Sequence, residues 1–126
     1  MKKLIYLLLT ILIISSCVTT ELVIDDSLSP AELFQLAQKA SSNKKYDNAV
    51  KYYEVFIDKY SDDTQRLVEA EYEIAFINFK EGNLKKSKEL FTALLDRYSA
   101  EGTQVLPAWP MILSKKLIKE IEDQSQ

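Results

Sequence analysis

The stretch Tyr46–Ser61, YDNAVKYYEVFIDKYS, limits what this chain can fold into more than any other. Its apolar residues Ala49, Tyr52, Tyr53, Phe56, Ile57 and Tyr60 recur at steps of three and four, which puts all six on one stripe of an α-helix. The same spacing returns as Ser87, Leu90, Phe91, Leu94, Leu95 and Tyr98, each 38 residues after its counterpart. The endings match as well: Ile57-Asp58-Lys59-Tyr60-Ser61 against Leu95-Asp96-Arg97-Tyr98-Ser99. A shared stripe and a shared ending make this an internal repeat, so the fold is built from a unit used twice.

The helices around these two stretches can be read from their caps. Ser29-Pro30-Ala31-Glu32 combines a capping serine, a proline suited to the first turn and the glutamate of an S-x-x-E box, with Leu28 and Leu33 placed for a hydrophobic staple. It starts a first helix that runs to about Ser42, with Leu33, Leu36, Ala37 and Ala40 on one face. The second helix is the opening stretch, about 47–60. Asp62-Asp63-Thr64 caps a third, about 65–80, whose apolar residues wrap most of its circumference, as expected of a helix buried between neighbours. Gly82-Asn83 makes the turn into a fourth, about 85–98. Ala100–Leu106 is a loop containing Gly102, and a fifth helix, about 110–122, closes the array with Leu113, Leu117, Ile118 and Ile121 on one side. The predicted fold is all-α: two helix hairpins and a C-terminal capping helix over 29–123, with 124–126 fraying. Only 2 glycines and 3 prolines in 126 residues suit long helices better than many short strands.

The first sixteen residues stand apart from this pattern. Lys2 and Lys3 precede an apolar run from Leu4 to Ile14, and Ser15-Ser16-Cys17 follows. A charged start, an apolar stretch too short to span a bilayer and small residues before a cut site describe a secretory signal over 1–16. The run resembles a bacterial lipobox, which implies cleavage before Cys17 and acylation of that residue, the only cysteine in the chain. Several acyl chains at ~0.8 kcal/mol per buried CH₂ make a lasting anchor. Cutting after Ser16 removes two lysines and no acid, so the remainder carries −5 rather than −3. Residues 17–28 are then lipidated cysteine and tether. About eleven residues at ~3.3 Å each reach roughly 36 Å from the lipid. Val18, where inner-membrane lipoproteins often carry Asp, favours the outer membrane.

Helix pairs at this interval resemble tetratricopeptide repeats, whose usual period is roughly 34 residues. The resemblance covers about 30–99. Leu33, Leu36, Ala37, Ala49 and Tyr53 match the family's large, small and aromatic positions in the first repeat, and Ile74, Ala75, Ser87 and Phe91 do so in the second. Ala40 stands where Tyr is usual, Phe56 and Leu94 replace a small residue, and Ser61 and Ser99 replace Pro. The period exceeds the family's by four, which predicts a third helix longer by about one turn. Long repeats ending in a phrase like Phe56-Ile57-Asp58-Lys59-Tyr60-Ser61, behind a lipobox, are similar to the outer-membrane lipoproteins of the β-barrel assembly machinery, the BamD type. Those carry about five repeats, and this chain has two.

The resemblance implies a protein-binding scaffold whose first helices line a concave face. By position that face presents Phe34, Gln38 and Ser41 from the first helix and Glu69, Tyr72, Phe76 and Phe79 from the third; Phe34 and Tyr72 are the better placed for exposure, and Phe76 and Phe79 either serve this face or pack as core under the last helix. Trp109 either anchors an interface or packs its loop onto the fourth helix. The implied partner is a barrel-assembly protein or an unfolded barrel polypeptide at the periplasmic face of the outer membrane. Alternatives are a surface lipoprotein binding external ligands and a scaffold for another envelope complex, such as secretin piloting or division. Catalysis and metal binding are not expected: there is no histidine, and Cys17 is the only cysteine. There is no Gly-rich phosphate loop. The acids Glu69, Glu71 and Glu73 suit the N-terminal half of a helix. No cofactor is expected beyond the lipid on Cys17, and an acidic chain is not read as a nucleic-acid binder. The lysines at 44–45, 85–88 and 115–119 are read as solvated helix faces, with a patch for an acidic partner if the last two groups meet.

Overall fold

Five helices follow one another in the computed structural model, which describes residues 22–100 and 105–125. They are α1 (Pro30–Ser42), α2 (Tyr46–Lys59), α3 (Thr64–Lys80), α4 (Leu84–Ala100) and α5 (Ala108–Gln124). No strand occurs among the described residues. The array is two helix hairpins, α1–α2 and α3–α4, with α5 packed mainly on α4 and touching α3. The fold is thus a helical-repeat fragment. The signal segment, Cys17, the first part of the tether and the glycine of the α4–α5 loop lie outside the described residues.

The caps are built as the sequence demands. Ser29 Oγ accepts the Glu32 amide, Glu32 in turn accepts the Ser29 amide (2.9 Å), and Leu28 packs beside Leu33 in the core. The Asp63 carboxylate accepts the Arg66 amide (3.2 Å) at the head of α3. At 17 residues α3 is one turn longer than the 13-residue α1, which absorbs the long repeat period. Lys44 (φ 58°) and Gly82 (φ 79°) occupy the same left-handed position in the turns closing α1 and α3. In each turn the next amide bonds back to the helix, Lys45 N–H to Ala40 O (2.9 Å) and Asn83 N–H to Asn78 O (2.9 Å).

The repeat stripes form two cores. Tyr53 and Phe56 sit fully buried with Leu33, Ala37 and Ala49 between α1, α2 and one side of α3. Phe91 and Leu94, their counterparts 38 residues on, meet Val68, Tyr72 and Ala75 from the other side of α3 and Leu117 and Ile121 from α5. Small residues let each pair approach. Ala49 has no exposed surface, and Ser87 at the same place is buried with its hydroxyl bonded to Ala75 O (2.9 Å).

Three sequence expectations change. The tether is not free along its whole length. Ile24 and Leu28 pack on the first core, Lys59 pairs with Asp26 (2.7 Å), and the Tyr60 hydroxyl donates to Leu28 O (2.9 Å). α5 starts at Ala108 rather than Pro110, because the first turn leaves its amides without helical partners and a proline there gives up nothing. It also continues through Asp123 and Gln124, past the end near 122 that the apolar spacing predicts. Lys88 pairs with Glu122 (2.7 Å) across α4 and α5, in keeping with the reading of these lysines as solvated helix faces.

Candidate functional site: the inner face of the array

Glu69, Glu73, Phe76 and Lys80 follow one another by four, three and four residues, so they form one stripe along α3. The stripe is framed on both sides. At one end Lys80 reaches α1, where its ammonium donates to Ser41 Oγ (2.8 Å), and it lies over the rings of Tyr46 (4.9 Å) and Phe76 (5.1 Å). Towards α5, Phe76 stacks on Tyr72 (5.9 Å between centroids), and Trp109 meets Tyr72 edge-on (5.0 Å). Beneath the acids, α2 sends up the Tyr53 side chain, whose hydroxyl is buried and has no hydrogen-bond partner among the described residues.

The electrostatics of this face are strained. Burial pushes the Glu73 carboxyl above the ordinary glutamate range; Lys80 pulls it partly back, and Glu69 pushes it further up. Burial likewise raises the Tyr53 phenol, helped by the charges of Glu73 and Glu69, and raises Tyr72 to about 12, helped by Glu73. Two carboxylates therefore share a half-buried place with an unsatisfied hydroxyl. The neighbouring Glu71 is on the opposite face, where both its oxygens accept from Arg97 (2.9 Å to Nε). That outer face carries a groove of about 410 Å³ between α2 and α4, floored by Ile74 and walled by Val50, Ile57, Leu90 and Leu94.

The residues assigned to the binding face are divided by the structure. Gln38 is exposed, and Ser41 and Glu69 are half-buried on the inner side. Phe34 and Tyr72 are not the exposed aromatics they were expected to be. Phe34 sets its edge against Tyr53 (5.4 Å) and Phe56 (4.7 Å), and Tyr72 is only 5% exposed within the second core. Each aromatic fills the wedge beside its hairpin, and a sequence stripe alone does not reveal that wedge. Phe76 and Phe79 stack on each other (6.2 Å) and remain half-buried. Trp109, at 40% exposed, lies in the first turn of α5 and packs against Tyr72 of α3. It continues into Ile112 and Leu113, both exposed, on the same end of the helix.

Glu73, Tyr53 and Lys80 were missed as site residues. The signal for the first was present: Glu69 and Glu73 are one turn apart and share a face, whereas Glu71 is two residues from each and points away. Nothing in the sequence marked the hydroxyl of Tyr53 as unpaired. Among the described residues no group of three or more acidic or thiol side chains is arranged to hold a metal ion.

No curated protein and no solved structure matches the chain. A family model described as the tetratricopeptide repeat matches residues 33–63 and again 69–100, half of the chain. The two matched segments contain most of one hairpin each, and α5 stands outside them. Domains of this kind generally serve as non-catalytic scaffolds for protein partners. With its helix pairs, its two matched segments and its small residues at the pair contacts, the chain belongs to the tetratricopeptide-repeat family.

Proposed function

We propose that the protein is a membrane-anchored scaffold, held by lipid on Cys17 at the periplasmic face of the outer membrane, where it serves β-barrel assembly. The observation that carries the binding role is the inner face of α3, which keeps two half-buried carboxylates over a buried hydroxyl that has no hydrogen-bond partner among the described residues, beside a partly exposed Trp109. A domain selected for stability alone gains nothing from such groups. The anchoring half of the reading is supported by Lys2-Lys3, the apolar run to Ile14 and Ser16-Cys17. The assembly role is supported by the Phe56–Ser61 phrase, which resembles the BamD type. The tether also fits a short reach. With Ile24 and Asp26 held on the domain, the span from Cys17 to Val23 adds at most ~3.3 Å per residue, roughly 20 Å in all.

Purification of the full chain from gently solubilised membranes tests the reading. Recovery with a large outer-membrane barrel protein that has periplasmic domains is the expected result. Recovery alone, or with another envelope complex, removes the assembly role and leaves the scaffold. Cys17→Ala should release the domain into the soluble fraction; continued partition into detergent would end the lipid-anchor reading. Loss of the protein on protease treatment of intact cells would move it to the cell surface.

A further inference from the structure

The repeat itself shows which part of Tyr53 is not needed for packing. Its counterpart 38 residues on is Phe91, equally buried and doing the same work without a hydroxyl. The Tyr53 oxygen is therefore an addition to the core, and its burial without a partner costs stability. It sits where the charges of Glu73 and Glu69 act on it. Neither glutamate makes a hydrogen bond or ion pair among the described residues. Lys80, the cation on the same stripe, offsets the Glu73 charge only in part, and its ammonium is bonded to Ser41. Two acceptor groups thus lie over a hydroxyl that is bonded to neither, and aromatic rings border them on the α5 side.

We propose that this inner face is a receptor for one lysine or arginine side chain on an extended segment of a protein partner, with the cationic head on Glu69 and Glu73, over the buried Tyr53 hydroxyl, and the apolar flank of the segment on Phe76 and Trp109. The inference rests on the scaffold reading above and names the chemistry of its partner. Charge complementarity selects the occupant. A cation gives both carboxylates a counter-charge and supplies several N–H donors to oxygens that lack them. The stem of the same side chain is apolar and suits the ring faces. An acidic segment would meet two half-buried like charges, and a purely apolar one would leave all the oxygens unpaired.

Panning a phage-displayed library of random nonapeptides against the full chain in detergent tests the proposal. The expected result is enrichment of lysine or arginine at one position, flanked by apolar residues. A synthetic peptide of the selected sequence should then change the emission of Trp109, the only tryptophan. Replacing its cation by norleucine, or mutating Glu73→Gln, should weaken binding about tenfold each, and combining the two should weaken it little further. Tyr53→Phe should weaken it about threefold to fivefold. Both protein variants should unfold at or above the parent's midpoint, so lost binding is not lost folding. Enrichment of peptides without a basic residue, or indifference of the selected peptide to Glu73→Gln, overturns the cation receptor and leaves the scaffold in place. No enrichment of any peptide overturns the receptor as well, while co-purification of a partner would still uphold the scaffold.

Discussion

Single residues show where this fold spends stability. Lys44 and Gly82 close equivalent turns with positive φ, but only one of them is the residue that adopts it without steric cost. Lys44→Gly should therefore raise stability by about 0.5–1 kcal/mol, and Gly82→Ala should lower it by about 1 kcal/mol or more, although a Cβ there meets nothing within 4 Å. Urea unfolding of the two variants measures both. Tyr53 separates ring from hydroxyl in the same way. Tyr53→Ala should cost about 3–5 kcal/mol, because the ring fills the first core. Tyr53→Phe should cost nothing, because it removes an unpaired oxygen. Glu73 adds a pH signature. Its carboxyl holds its proton to higher pH in the folded state than in the unfolded chain. The folded state thus binds more protons over that interval, and stability falls as pH rises from the ordinary glutamate range through the raised value. Glu73→Gln should melt higher than the parent at neutral pH, and the difference should close on acidification below about pH 4. Thermal melts at several pH values read it directly. A gap that does not close would mean that the Glu73 charge is not the cause.

At the scale of elements, the repeated ending acquires a mechanical sense. Tyr60 and Tyr98 both stand at the close of a second helix and both donate their hydroxyls to a backbone carbonyl, of Leu28 (2.9 Å) and of Pro107 (2.6 Å). The first ties down the segment entering α1, and the second ties down the segment entering α5. Tyr60→Phe should leave α2 folded but loosen residues 22–28, since Leu28 O loses its donor; faster amide exchange confined to that segment is the expected readout. Tyr98→Phe should cost about 1 kcal/mol and loosen the first turn of α5. The helices were legible because caps and apolar spacing are local. The Ser29 box, the Asp63 cap and the extra turn of α3 all follow from residues within one turn or one repeat of each other. The covering of Phe34 and Tyr72 was not legible, because burial depends on which neighbour closes the wedge. Phe34 is covered by Tyr53 and Phe56, and Tyr72 by Trp109 and Phe91, all distant in sequence. The same holds for the inner face: helical spacing alone joined Glu69 to Glu73, but only packing brings Tyr53 beneath them. The docked tether was missed because Lys59–Asp26 and Tyr60–Leu28 join residues more than thirty apart.

Across the whole molecule, α3 is the shared wall. Ala70, Ile74 and Ile77 belong to the first core, and Val68, Tyr72 and Ala75 to the second, so neither hairpin buries its apolar face without it. In a stacked array each unit is stabilised by its neighbours, and two hairpins are fewer than such arrays generally need. α5 makes up the difference at one end: it supplies Leu117 and Ile121 to the second core and lays Trp109 over Tyr72. Its own buried Ser114 hydroxyl lacks a hydrogen-bond partner among the described residues, so the polar ties of the cap are left to Lys88–Glu122 and Tyr98–Pro107. Because the second core meets the first through α3, damage at α5 should not stay local. A chain ending at Ala100 would uncover Val68, Tyr72 and Leu94 and lose the Pro107 acceptor of Tyr98. The expected outcome is a loss of helical content in circular dichroism larger than the 17 residues of α5 account for, together with a broadened melt and binding of a hydrophobic dye. A sharp melt with only the helicity of α5 missing would show instead that α1–α4 stand as a unit and that α5 is an appendage. Leu117→Ala in the full chain gives the graded version: about 2–4 kcal/mol lost if α5 closes the second core, and nearly nothing if it does not.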